Sequence, residues 1–147
     1  MKEEVLPFFI KDLKDSLKIK VQTTPVSTDF SEPSVIVCSE SSSIEKNHDT
    51  YNIKTDKTGQ MYTPDINKLL NSFVSVSYEF DINVLIMTGI GSDGIEGAKN
   101  LKQHNAKIFA QDEKSSPVYG MPKAAVEAGI VDKVKSFDDI KACFRGL

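Results

Sequence analysis

Residues 83–94 read Asn83-Val84-Leu85-Ile86-Met87-Thr88-Gly89-Ile90-Gly91-Ser92-Asp93-Gly94. Val84 to Met87 is an unbroken apolar run. Such a run is the mark of a strand covered on both faces, and parallel sheets bury their strands in that way. Residues 83–87 are therefore expected to form a central parallel strand. Three glycines then punctuate a tight turn. From Ile95 to His104 the apolar positions return at helical spacing. Strand, glycine turn and helix in direct succession are one half of a β-α-β unit.

The pattern continues on both sides. Lys107 to Ala110 reads as the next strand, Gln111 to Tyr119 as a polar loop, and Met121 to Ala128 as a helix. Ile130 to Val134 reads as a short strand. Ser136 caps a last helix, with Asp138 and Asp139 near its positive end. Upstream, Thr63-Pro64-Asp65 has the composition of a helix start, and Ile66, Leu69, Leu70 and Phe73 continue one face. Strands alternating with helices predict an α/β fold with a mostly parallel sheet and helices on both faces. In such sheets ligands gather at the carboxyl ends of strands, where residues 88–94 lie.

The first 60 residues are richer in Ser, Thr, Asp and Lys. Leu6, Phe9, Ile10, Leu13 and Leu17 fall at helical spacing, with Pro7 in the first turn. Residues 18–22, 34–38 and 50–55 read as strands, the last two as a hairpin pair. Residues 39–43 read as a loop, and Lys57-Thr58-Gly59 as a turn.

At 147 residues the chain has the length of one domain. A net charge of -3 gives no basic footprint for nucleic acid. The apolar runs fall far short of the ~20 residues of a membrane helix, and the acidic start MKEEVLPFFI is unlike a secretion signal. Cytoplasmic residence without membrane insertion is expected. Cys38 and Cys143 are far apart and belong to no metal-binding pattern, so two buried, reduced thiols are expected and no metal.

Gly89-x-Gly91-x-x-Gly94 matches the dinucleotide fingerprint, and Asp112 stands where an NAD-binding acid would follow. Asp93 opposes that reading. It adjoins the third glycine at a helix start, where a pyrophosphate would meet its carboxylate. Two like charges at ~4 Å cost about 4 kcal/mol at a surface-like dielectric. No cofactor is expected. The plain alternative is that Asp93 caps its own helix.

Three further segments bear on the turn. Thr88 to Gly94 is similar to the LTGMGxDG turn of CheB-type chemotaxis protein-glutamate methylesterases. Ala110-Gln111-Asp112-Glu113-Lys114-Ser115-Ser116 resembles their AQDExS segment, and Gly120-Met121-Pro122-Lys123-Ala124-Ala125 their GMPxxA helix start. Tyr62 to Asn67 looks like a diverged RPSVD segment. The order and spacing are compatible, and the clear match covers about residues 61–134.

The resemblance implies one three-layer α/β/α catalytic domain over residues 1–147, incomplete at its N-terminal side. It also implies a hydrolase that removes methyl esters from receptor glutamates, and that deamidates receptor glutamines, by a Ser-His-Asp mechanism without cofactor or metal. Asp93 would be the triad acid. The backbone around Gly89, Ile90, Gly91 and Gly94 would form the oxyanion turn, with Ile90 in place of the usual methionine. Ser115, Ser116 and Met121 would lie on the substrate side. Chemotaxis receptors would be the protein partners.

The sequence also departs from that family. It shows neither the glycine-rich turn carrying the nucleophilic serine nor the QHMP-like segment carrying the histidine. Extending the match upstream sets Met1 on the methionine of that segment. No counterpart of the usual receiver domain is present, and Asn67 replaces an aspartate. Ser92 lacks the G-x-S-x-G setting of a nucleophile. His104, eleven residues after Asp93 on one predicted helix, lies roughly 16 Å away. His48 reads as a solvated loop residue. The chain alone is therefore expected to be inactive, and to self-associate through sheet surface left uncovered. A non-catalytic, receptor-binding relative is the alternative.

Overall fold

The computed structural model describes residues 4–56 and 64–144. It divides into two compact units between Asp65 and Ile66. Thr63 and the Lys57-Thr58-Gly59 turn lie outside the described residues.

The first unit opens with helix α1 (Leu6–Ser16), Pro7 in its first turn. Five short strands follow: β1 (Lys20–Thr23), β2 (Val26–Thr28), β3 (Ser34–Val37), β4 (Ser42–Asn47) and β5 (Thr50–Thr55). Strands β1 and β3 pair in parallel, with Val21 opposite Val35. The other three form an antiparallel sheet in the order β2-β5-β4. The expected hairpin between residues 34–38 and 50–55 is therefore not formed. The partner of β5 is β4, whose first two residues fall in the stretch Ser39–Ser43 that composition marks as a loop. Polar Ser42 and Ser43 still alternate with Ile44, and Ser42 and Ile44 are both buried. A period of two outweighs the loop-like composition. His48, with φ 54°, makes the turn between β4 and β5.

The second unit follows the expected alternation. It runs α2 (Ile66–Ser72) with a 3-10 turn (Phe73–Val76), β6 (Asn83–Ile86), α3 (Ile95–Gln103), β7 (Lys107–Gln111), α4 (Gly120–Glu127), β8 (Lys133–Lys135) and α5 (Phe137–Cys143). Its three strands are parallel in the order β6-β7-β8. Within this sheet β7 holds the middle, and β6, expected to be central, lies at one side. Burial follows position, since Ile108 and Ala110 of β7 have no exposed surface. The core gathers Ile86, Ile95, Ala98, Leu101, Ile108 and Ala125, with Leu70, Phe73 and Met121 packed against it. Ser136 caps α5 through a reciprocal bond with Asp139, as its sequence signals. Cys38 is half-buried and Cys143 exposed, so neither is the buried thiol expected. Burial pushes the Cys38 thiol up from its ordinary value, partly offset by a hydrogen bond with Ser42. No helix among the described residues is long and apolar enough to cross a membrane.

One carboxylate holds the approach to β8. Asp132 Oδ2 accepts from the Ile108 N–H at 2.7 Å, and Oδ1 accepts from Lys102 Nζ at 2.7 Å. Lys102 Nζ also donates to the Ile130 carbonyl. The Ile108 N–H first, and then Lys102, hold the Asp132 carboxyl below its ordinary value of 3.8. A depressed folded-state value means that this contribution is present above 3.8 and lost as pH falls through the folded value. Asp132→Asn should therefore lower Tm near neutral pH, and the gap to the parent should close between about pH 5 and pH 2. Thermal melts of both proteins across that range check this.

Candidate functional site

The turn after β6 is shaped by close packing from below. A Cβ on Gly89 would stand 2.6 Å from Met121 Sδ, and one on Gly120 would stand 2.8 Å from the Gly89 carbonyl oxygen. Only glycine lets the turn and the start of α4 approach this closely. Gly91 and Gly94 have φ of 95° and 89°, a region that side chains disfavour. Gly94 also abuts α2, where a Cβ would meet Ile66 Cγ2 at 2.8 Å.

Hydrogen bonds then fix the turn to the loop that follows β7. Gln111 is 2% exposed. Its Oε1 accepts from the Thr88 N–H at 3.0 Å, and its Nε2 donates to the Ser115 carbonyl at 2.7 Å. The Val118 carbonyl accepts from Gly89 N–H and from Thr88 Oγ1, while Val118 N–H donates to Thr88 Oγ1 at 2.9 Å. Met121 N–H donates to the Gly89 carbonyl. The N–H groups of Ile90 and Gly91 have no protein acceptor among the described residues. Ile90 is 87% exposed, and a Cβ on Gly120 would stand 3.4 Å from the Gly91 nitrogen.

Asp93 does not cap its own helix. The cap of α3 is Gly94, and no side chain bonds there. The carboxylate instead reaches the first N–H groups of α2: Oδ2 accepts from Ile66 N–H at 3.0 Å and Oδ1 from Asn67 N–H at 3.4 Å. Asn67 Nδ2 donates to Oδ1 at 3.1 Å, while Asn67 Oδ1 accepts from Gly97 N–H at 2.8 Å. An ionised carboxylate offers about four acceptor directions. Three are used, and one on Oδ2 is left. Asp93 as a whole is half-buried.

The other sequence candidates are placed differently. Ser115 Oγ donates to Asp112 Oδ1 in a short contact, and accepts from Phe137 N–H at 3.0 Å. Ser116 Oγ donates to the Asp112 carbonyl. Ser115 thus ties its loop to the start of α5, and Ser116 holds its own loop. Met121 lies beneath the turn and packs on the core. His104 Nδ1 pairs with the Asn100 carbonyl at the far end of α3. Residue-by-residue reading of the sequence missed the work of Gln111 and Asn67. A buried-strand amide directly before a polar loop was the available signal for Gln111. Asn67, read only as a departure, turns out to bridge Asp93 to α3.

A family model for CheB methylesterase matches residues 1–144. The chain belongs to the CheB methylesterase family. It is 42% identical over 90 residues to protein-glutamate methylesterase/protein-glutamine glutaminase 2 of Nitratidesulfovibrio vulgaris, covering 61% of this chain and 24% of that protein. It is 55% identical over 56 residues to the protein of the same type from Haloarcula marismortui, covering 38% of this chain and 15% of the relative. The chain thus spans about a quarter or less of these relatives' lengths. The crystal structure of the Thermotoga maritima CheB methylesterase catalytic domain superposes with a TM-score of 0.81 at 20% identity, over 97% of this chain and 77% of that one. This likeness places the chain in the α/β fold of a CheB catalytic domain.

The contacts above make two outcomes measurable. Asp93→Ala removes the carboxylate from the first turn of α2 and should cost about 1 kcal/mol in urea denaturation, with Asp93→Asn costing less. Gly120→Ala drives a methyl against the Gly89 carbonyl and should cost roughly 1–3 kcal/mol. It should also shift the amide resonances of Gly89 and Met121.

Proposed function

We propose that this chain carries the acid-bearing part of a protein-glutamate methylesterase site, which also accepts glutamine amides. The observation that carries this reading is the remaining acceptor direction on the half-buried Asp93, on the same turn as the Ile90 and Gly91 N–H groups, which have no protein acceptor among the described residues. An aspartate with one free lone pair can hold an imidazole N–H in the orientation a serine nucleophile needs. Open backbone N–H groups stabilise the oxyanion that forms when serine attacks the ester carbonyl. Addition of serine Oγ expels methanol from an ester or ammonia from an amide, and water then releases the glutamate.

In this reading Asp93 orients the base, Ile90 and Gly91 donate to the oxyanion, and Gln111 and Asn67 keep the two in register. The protein substrate is a methylated chemotaxis receptor in the cytoplasm. His104, the histidine on the same unit, bonds the Asn100 carbonyl at the far end of α3, so the base in this reading is not His104. The names of the relatives support the substrate class. A second reading also has an observation behind it: three of the Asp93 acceptor directions serve α2 and Asn67, as a purely structural aspartate would.

A graft separates the two. Residues 64–134 replace their counterpart in the Thermotoga maritima CheB methylesterase catalytic domain, and methanol release from methylated receptor is followed. The graft should be active, and its Asp93→Asn form should lose roughly 10⁴-fold, the scale for removing a triad acid. A folded graft whose rate is indifferent to Asp93→Asn would establish the structural reading. The isolated chain should release no methanol.

A further inference from the structure

Independently of the turn, we propose that a cavity between the second face of the parallel sheet and α5 binds a small carboxylate with an apolar body. Side chains of β6 and β7 alternate across the sheet. Ile86 and Ile108 belong to the core on one side. Leu85 and Phe109, opposite each other in the register, point to the other side. There they share a cavity of about 340 Å³ with Ile140 of α5 and Phe144 just beyond it. That volume lies at the small end of ligand sites, which are mostly apolar with a few placed polar groups. None of the lining residues belongs to the turn of residues 88–94.

The polar groups decide the head of the ligand. Lys135 and Cys143 also line the cavity. Lys135 Nζ lies 5.2 Å from the centre of the Phe109 ring and donates to Cys143 Sγ at 3.3 Å. An ammonium has three N–H donors and a thiol is a weak acceptor, so most of its capacity is left. The two acids at the start of α5 are engaged elsewhere. Asp138 pairs with Lys141 at 2.7 Å, and Asp139 accepts from Ser136 Oγ at 2.7 Å. Ser136 holds the Asp139 carboxyl below its ordinary value more than the Lys135 charge does. Lys133, opposite Phe109 in the register, adds a second cation to this face. Asn83, the remaining polar lining group, donates to the Asp81 carbonyl. An anionic head on an apolar body meets both features. The body leaves water against Leu85, Phe109 and Ile140, and the head takes Lys135 donors in charge-assisted bonds. A neutral head forgoes those bonds, and a cationic one is repelled.

The test titrates the full ¹⁵N-labelled chain with octanoate, octanol and octylammonium, which share one body and differ in the head. Amide shifts at Leu85, Phe109 and Cys143 should saturate with octanoate at about tenfold lower concentration than with octanol, the scale of one charge-assisted bond. Octylammonium should bind more weakly still. Octanoate should also slow alkylation of Cys143 by iodoacetamide and leave Cys38, which does not line the cavity, unaffected. Lys135→Gln should bring octanoate to the level of octanol. Leu85→Phe should fill the cavity and abolish saturation by all three. Circular dichroism checks that both variants are folded, and if Leu85→Phe is not, the Lys135→Gln comparison decides alone.

Equal binding of octanoate and octanol would overturn the proposal, since the cavity would then be an apolar face and nothing more. Shifts that rise without saturating, or that spread over the whole chain, would mark detergent-like contact and overturn it too. So would concentration-dependent broadening at Leu85 and Phe109 in the ligand-free chain that octanoate does not reverse, which would make the cavity the seat of another copy. None of these results bears on Asp93, whose reading the graft assay decides.

Discussion

The contact between the Asp93 carboxylate and the first turn of α2 is the constraint on which the second unit depends. The first N–H groups of a helix lack partners within it. Ile66 and Asn67 find theirs on a residue 26 or 27 positions away. That single side chain fixes α2 against the turn after β6 and makes glycine necessary where the two meet. Gly94 and Gly97 both face α2, and a Cβ on Gly97 would stand 2.8 Å from Leu70 Cβ and 2.9 Å from the Asn67 carbonyl. The helix pair packs so closely that only hydrogen atoms fit between backbone and side chain.

A second clamp works at right angles to the first in sequence terms. Gln111 ends β7 and holds the turn after β6 to the loop after β7. A buried amide is costly unless both its ends are paired. Here both are, so the cost becomes rigidity. Thr88 and Gly89, at the start of the turn, owe their fixed place to this arrangement and to the Val118 backbone.

Much of the second unit was legible in the sequence because local and long-range preferences agree there. The run from Val84, the caps at Ser136 and the helical face through Leu70 each specify one element. The first unit was less legible. Its strands are three to six residues long, and Ser42-Ser43-Ile44 carries a loop-like composition on a buried strand. Pairing partners of such strands depend on non-local contacts that no local pattern records. The place of β6 at the side of its sheet was missed for a related reason, since an apolar run reports burial and not neighbours. At the candidate site, the motif segments lie on the turn after β6, the loop after β7 and the start of α4, which hydrogen bonds join. They did not show that Asp93 turns to α2, because side-chain direction at a turn is set by the helix packed against it.

The fingerprint-like spacing of Gly89, Gly91 and Gly94 finally has a physical account that needs no nucleotide. In a dinucleotide fold the second glycine admits the pyrophosphate and the third lets helix and strand pack closely. Here Gly89 makes room for Met121, Gly91 supplies a left-handed backbone angle, and Gly94 makes room for Ile66 of another helix. The third role is helix against helix, which a β-α-β nucleotide turn does not require. The repulsion expected between Asp93 and a phosphate also takes a new form. The carboxylate is not aimed at its own helix, so it does not cap the place a phosphate would take. It is turned to the first N–H groups of α2 and to the Asn67 side chain instead.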